Sequence, residues 1–160
     1  MRIIKYENQY RDDTIFMVLE AKNALGRVPT LNNDLLDLDG YYFNKGDMFW
    51  IAVDDKERVI GCVGCNLLSD GEAALHRLYV KYNLKRQGIG TKLLTIAEDF
   101  ARDNGRKAMK VHLGDKVTYF ESRQFYSKHG YEISQENKNF KSSKNLPFLN
   151  CNIHNSIRLN

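Results

Sequence analysis

The chain has 160 residues, 42% of them hydrophobic and 28% charged, the size and balance of one soluble globular domain (residues 1–160) with a sizeable core. Met1 to Tyr6 carries no apolar run of signal-peptide length, and no stretch approaches a membrane-spanning helix. A cytoplasmic address without membrane contact is therefore expected, and the three cysteines, an odd number in a chain too large to need stapling, read as reduced thiols.

The net charge of +4 is unevenly spread. Residues 1–60 hold 8 Lys and Arg against 11 Asp and Glu, whereas residues 61–160 hold 16 against 9. The C-terminal part attracts polyanions and the N-terminal part tolerates a cation. Nucleic acid fits that description, and so does a phosphate-rich cofactor paired with an amine substrate.

Arg2 to Tyr6 reads as a first strand, followed by an N-cap at Asp12-Asp13-Thr14 and a helix carrying Ile15, Val18 and Leu19 that fades near Gly26 or Pro29. A second, shorter helix is expected between Thr30 and Asp47. Met48–Val53, Arg58–Leu68 and Ala73–Val80 are strands joined by short polar turns, the pattern of an antiparallel meander. The period changes after Gly90: Leu93, Leu94, Ala97, Phe100 and Ala101 share one helical face, and Asn104-Gly105 stops it. Ala108–Leu113 alternates as a strand. A helix beginning at Asp115 or at the Thr118–Glu121 capping box runs to His129 and ends at Gly130. Tyr131-Glu132-Ile133 begins a strand, Ser134 to Asn150 reads as a polar loop, and Cys151 to Leu159 as a closing strand. The order β-α-(α)-β-β-β-α-β-α-β-β is that of one mixed α/β domain.

The loop Lys85-Arg86-Gln87-Gly88-Ile89-Gly90-Thr91 joins a strand to a helix start. Glycine permits close approach of backbone N–H groups to an anion, and the helix N-terminus offers unpaired donors and the positive dipole end. The spacing is not that of a P-loop, because Thr91 precedes Lys92 instead of following it. It is not a dinucleotide fingerprint either, since the third glycine position holds Leu93. A strand-to-helix turn that binds nothing remains open on this loop alone.

Arg77-Leu78-Tyr79-Val80, then Lys85 to Gly90, then Leu93-Leu94 resembles the acetyl-CoA motif of the GNAT N-acetyltransferase superfamily, Arg/Gln-x-x-Gly-x-Gly/Ala. Ser122-Arg123-Gln124-Phe125-Tyr126-Ser127-Lys128-His129-Gly130-Tyr131 resembles its second signature, Ala-x-x-Phe-Tyr-x-x-x-Gly-Phe/Tyr. Together with the meander, the likeness covers roughly residues 48–133. It departs at Lys85, where the family carries Arg or Gln, at Tyr119, where Asn is frequent, and at Ser122, where Ala is frequent.

The resemblance implies a central, mixed but mostly antiparallel sheet of about six to seven strands flanked by helices. It also implies acetyl-CoA as co-substrate, with no metal, and direct transfer of acetyl to a primary amine in a ternary complex. The acceptor is a small molecule or a peptide; acetylation of protein termini or lysines, and a catalytically silent acyl-CoA-binding sensor, are the alternatives. Carried over residue by residue, Tyr126 is the general acid for the departing thiolate. Backbone N–H groups of Leu78, Tyr79 and Val80 face the thioester and pantetheine arm. Lys85, Arg86, Gln87, Gly88, Ile89, Gly90 and Thr91 hold the pyrophosphate, with Tyr119 and Ser122 beside the cofactor. The family's usual strand Glu aligns with Ala74, which cannot act. Glu72 and His76 flank it on the same strand face and are the candidate bases, with a water relay as third option.

Other features point elsewhere. Cys62 and Cys65, with Cys151 and His154, have a metal-like spacing, but residues three apart on a strand face opposite sides. Arg102, Arg106, Lys107 and Lys110 read as a solvated helix end and strand edge, without the interleaved aromatics of a nucleic-acid surface. The acidic, aromatic stretch Asp34 to Phe43 flanks the acceptor pocket in the family, and its carboxylates and rings suit a cationic amine as well as they suit an ordinary amphipathic helix. Pairing of two chains through C-terminal strands into a homodimer stays open.

Overall fold

A computed structural model describes residues 1–114, 119–136 and 139–147. Its elements are β1 (Arg2–Lys5), α1 (Arg11–Ala24), α2 (Leu38–Tyr41), β2 (Met48–Val53), β3 (Val59–Leu67), β4 (Glu72–Val80), α3 (Ile89–Asp103), β5 (Ala108–Leu113), α4 (Phe120–Lys128), β6 (Glu132–Glu136) and β7 (Asn139–Asn145). Among the described residues the strands form one seven-stranded sheet in the order β1-β2-β3-β4-β5-β7-β6. Every neighbouring pair is antiparallel except β4 and β5. This is the mixed, mostly antiparallel sheet and the element order expected.

The alternating strands divide the core between the two faces. On one face Leu93, Leu94, Ala97 and Ala101 of α3 pack with Val63, Leu75 and Met109, and Tyr126 of α4 joins them. On the other, Met17, Val18 and Ala21 of α1 and Leu38 of α2 cover Phe49, Ile51, Val53 and Cys62. Gly61 lets α3 lie close to β3, because a Cβ there would stand 2.9 Å from Leu93 Cδ1 and 3.0 Å from the Tyr79 carbonyl. Cys62 and Cys65 fall into opposite clusters, and burial pushes each thiol up to about 12. A shared metal between these two sulfurs is excluded by that geometry.

Three local expectations need correction. First, α1 starts at Arg11 after a Tyr10 cap that makes no side-chain bond, rather than behind Asp12-Asp13-Thr14. The Asp13 carboxylate is engaged across the structure by Arg58 (2.6 Å) and the Val59 N–H (2.6 Å). Second, α4 begins at Phe120; residues 115–118, including the Thr118 half of the proposed capping box, lie outside the described residues. Third, most of the stretch read as a polar loop is a hairpin: β6 and β7 pair from Glu132↔Ser143 to Glu136↔Asn139, and β7 pairs with β5. β6 is the sheet edge and β7 lies between it and β5; the hairpin buries Ser142, with Leu146 buried just beyond it, and shows no run of apolar residues. The Cys151–Leu159 strand lies outside the described residues.

Candidate active site

The parallel pair at the centre of the sheet is short. β4 and β5 are in register from Glu72↔Ala108 to Leu75↔Val111 and no further. Beyond Leu75, β4 continues to Val80 beside β3 alone, with Gly61↔Val80 and Cys62↔Tyr79. β5 meanwhile continues beside β7 through Leu113↔Phe140. The two strands therefore part, and among the described residues the β5-facing backbone groups of His76–Val80 have no strand partner. Such groups are obligatory hydrogen bonders, so a parted strand inside a sheet is a slot for an extended ligand.

The parted end of β4 leads straight into the glycine loop. A single 3-10 turn, Tyr82–Leu84, intervenes before Lys85. Arg86 and Gly88 both adopt left-handed backbone (φ 64° and 80°) and turn the chain into α3, whose cap Gly88 makes no side-chain bond. The first-turn N–H groups of Ile89, Gly90 and Thr91 precede the first intrahelical bond, from Lys92 N–H to the Gly88 carbonyl. That first turn carries no acidic side chain. A 15-residue helix whose first-turn N–H groups lack intrahelical partners, with exposed Arg86 and Gln87 and no carboxylate in that turn, has the donors and charge to cradle an anion. The Lys85 ammonium is held by Glu121 of α4 and lies 4.7 Å from the Tyr82 ring centre. Thr91 hydroxyl is 3.0 Å from His129 Nε2, and His129 Nδ1 is 2.8 Å from the Phe125 carbonyl. A carbonyl only accepts, so Nδ1 carries a proton and the ring ties the end of α4 to the first turn of α3.

Tyr126 of α4 is almost fully buried, edge-on to the Phe125 and Tyr131 rings at 5.3 Å each. Desolvation raises its pKa above that of a free phenol, and the neighbouring Tyr79 hydroxyl adds to this while the Arg27 cation works against it. The phenol stays protonated at neutral pH, as a proton donor must. Tyr119 packs between two surfaces. A Cβ on Gly114 would stand 2.2 Å from its ring, so only glycine fits beneath, and the Arg27 guanidinium lies 3.7 Å from its centre on top. Arg27 also donates to Ser122 Oγ (3.3 Å). Sequence reading had no reason to single out Arg27, which reaches α4 from a loop 95 residues away in the chain.

The candidate bases separate. His76 is the first β4 residue past the last β4–β5 pair, at the mouth of the slot. Burial lowers its pKa, with Arg77 and His112 assisting and Asp34 and Asp47 opposing, so its ring is neutral at pH 7. Glu72 lies at the paired end of β4 and forms an ion pair with Lys110, which also contacts Asp70 at 3.2 Å.

In the sequence Asp34 is one carboxylate of an acidic stretch, yet it is buried and accepts from Arg77 Nε (3.0 Å), Arg77 Nη2 (3.0 Å) and the Tyr42 hydroxyl (2.9 Å). Arg77 itself has φ 54°, a conformation costing a non-glycine residue about 1–3 kcal/mol.

Residues 13–131 match the model of the acetyltransferase (GNAT) family. The chain belongs to that family. Its domain is accordingly an acyltransferase domain. Over 79 residues it is 39% identical to a probable N-acetyltransferase camello of Xenopus laevis, covering 48% of this chain and 36% of that protein. The chain spans less than half the length of the curated relatives it matches. The GNAT-family acetyltransferase from Staphylococcus aureus Mu50 shares the fold at a TM-score of 0.81 and 22% identity, over 91% of this chain and 99% of that one. So does the PaiA N-acetyltransferase of Thermoplasma acidophilum, solved in complex with coenzyme A, at 0.71 and 19% identity, over 90% and 98%. No helix among the described residues is long and apolar enough to cross a membrane.

Proposed function

We propose that this protein is an acetyl-CoA-dependent N-acetyltransferase that passes acetyl directly to a primary amine of a small molecule or peptide. The observation that carries the proposal is the continuity of the parted end of β4 with the bare N-terminus of α3. An extended arm ending in a pyrophosphate fits that combination, and the complex of coenzyme A with the Thermoplasma relative of the same fold supports the choice.

When bound, acetyl-CoA supplies the thioester that is to be cleaved. The first-turn N–H groups of α3, with Arg86 and Gln87, hold the pyrophosphate. Lys85 joins them by leaving Glu121. Leu78–Val80 pair with the pantetheine arm as an added strand and direct N–H groups at the thioester carbonyl, opposing the negative charge that builds there as the amine attacks. Tyr126 gives its proton to the sulfur as the C–S bond breaks. His76, neutral and at the mouth of the slot, takes the proton from the amine directly or through water. Glu72, already paired with Lys110 at the closed end of the strand, is the weaker candidate.

A thiol-release assay with acetyl-CoA and a panel of polyamines, aminoglycosides, arylalkylamines, amino acids and peptides tests this. Turnover with at least one amine is expected. Tight CoA binding without turnover on any small amine, peptide or protein would instead make the chain a sensor.

A further inference from the structure

The direction of the free β4 backbone depends on an irregularity at its root. Gly64 pairs with His76 and Cys62 with Tyr79, so Arg77 and Leu78 together stand opposite Val63 alone. One extra residue in a strand reverses which side each following N–H and side chain faces. Among the described residues, Leu78–Val80 have a strand on one side only, β3, and no second strand corrects their aim.

The bulge is held from outside the sheet. Arg77, at φ 54°, is gripped through Nε and Nη2 by both oxygens of Asp34, at 3.0–3.1 Å. Asp34 comes from the turn Asn33–Leu36 on the α1/α2 side and is only 7% exposed. Its second oxygen also accepts from Tyr42. The Tyr42 ring in turn lies on Gly64, where a Cβ would stand 2.7 Å from it, directly across from His76. The Arg77 carbonyl accepts from the Cys62 thiol at 3.1 Å. The chain from Gly64 through Tyr42 and Asp34 to Arg77 thus closes around the bulge.

We propose that Asp34 is a positioning residue: by clamping Arg77 in the left-handed conformation it fixes the bulge, and so the direction in which the N–H groups of Leu78 and Val80, which face away from β3, meet a thioester carbonyl. The inference rests on the reading that this arm receives the acetyl thioester. A purely structural ion pair would bear on folding; a positioning residue bears on the polarisation of the carbonyl in protein that is folded and loaded.

The test is infrared spectroscopy of acetyl-CoA, isotope-labelled at its carbonyl carbon and bound without acceptor, with affinity followed by calorimetry. In the wild type the carbonyl band is expected below its position in free acetyl-CoA. Asp34→Asn removes the charge that holds Arg77, and Arg77→Lys keeps a charge but loses the planar fork. Both are expected to bind CoA within about threefold of wild type while the band moves at least halfway back to the free position. Tyr42→Phe leaves Asp34 on Arg77 and should move it less. Wild-type bands in Asp34→Asn and Arg77→Lys overturn the proposal. If Asp34→Asn does not fold, wild-type bands in Arg77→Lys and Tyr42→Phe overturn it equally. An undisplaced band in the loaded wild type overturns this inference alone, whereas acetyl-CoA failing to bind the wild type overturns the proposed function and this inference with it.

Discussion

The two halves of β4 make different use of the same strand. From Glu72 to Leu75 it is hydrogen-bonded on both sides, to β3 and β5, and sends Ala73 and Leu75 into the core. From His76 to Val80 it is bonded on one side, begins with a residue of lowered pKa, bends at a left-handed arginine and runs into a bare helix N-terminus. The first half is fully satisfied and its contribution is stability. The second has no strand on its other side among the described residues, and the proposed cofactor arm takes that place.

Substitutions in the two halves and around them should therefore fail in different ways. The largest effect is expected from Gly90→Asp. The nearest atoms to a Cβ at this position belong to Phe125 at 3.5 Å and Val80 at 3.7 Å, ordinary contacts, so the fold should persist. A carboxylate in the anion cradle should weaken CoA binding by at least ~100-fold in calorimetry. Tyr126→Phe should lower kcat about 100-fold with CoA affinity largely retained, because only the proton donor is removed. Next comes His76→Ala, with a fall of roughly tenfold in kcat/KM and a changed pH profile. Burial disfavours the imidazolium, so neutral His76 persists as pH falls, and the wild-type acid limb should lie below the ordinary histidine value of about 6.5. In His76→Ala that limb should disappear; an unmoved limb would assign the base elsewhere. Leu75→Ala, in the paired half, should cost about 2–5 kcal/mol of stability, seen as a lower Tm. Measured where the variant is folded, its kcat and CoA affinity should match wild type; a large loss there would erase the distinction between the halves.

The sequence made much of this legible because the features concerned are local. Strand and helix periods, the Gly88–Gly90 loop and the Phe125-Tyr126 pair each lie within a few residues of one another. What was hidden is long-range or polar. Asp34 looked like one of several carboxylates on an acidic stretch; its burial depends on Arg77, 43 residues on. Arg27 gave no signal, since its partners Tyr119 and Ser122 lie in the second signature. The β6–β7 hairpin is hidden because its strands, at the sheet edge and next to it, are almost wholly polar, with Ser142 of β7 buried between its β5 and β6 neighbours rather than selected by hydrophobicity. No residue type announces that two strands will part; Ala74-Leu75-His76-Arg77 reads as uninterrupted strand, and only the registers show that β5 leaves after Val111.

Residue-resolved amide hydrogen exchange with and without CoA tests the central contrast directly. The account predicts that CoA slows exchange at Leu78 and Val80 and at Ile89–Thr91 by at least ~10-fold, while Glu72–Leu75, already paired on both sides, change little. Unchanged exchange at Leu78, Val80 and Ile89–Thr91 in protein saturated with CoA would contradict it.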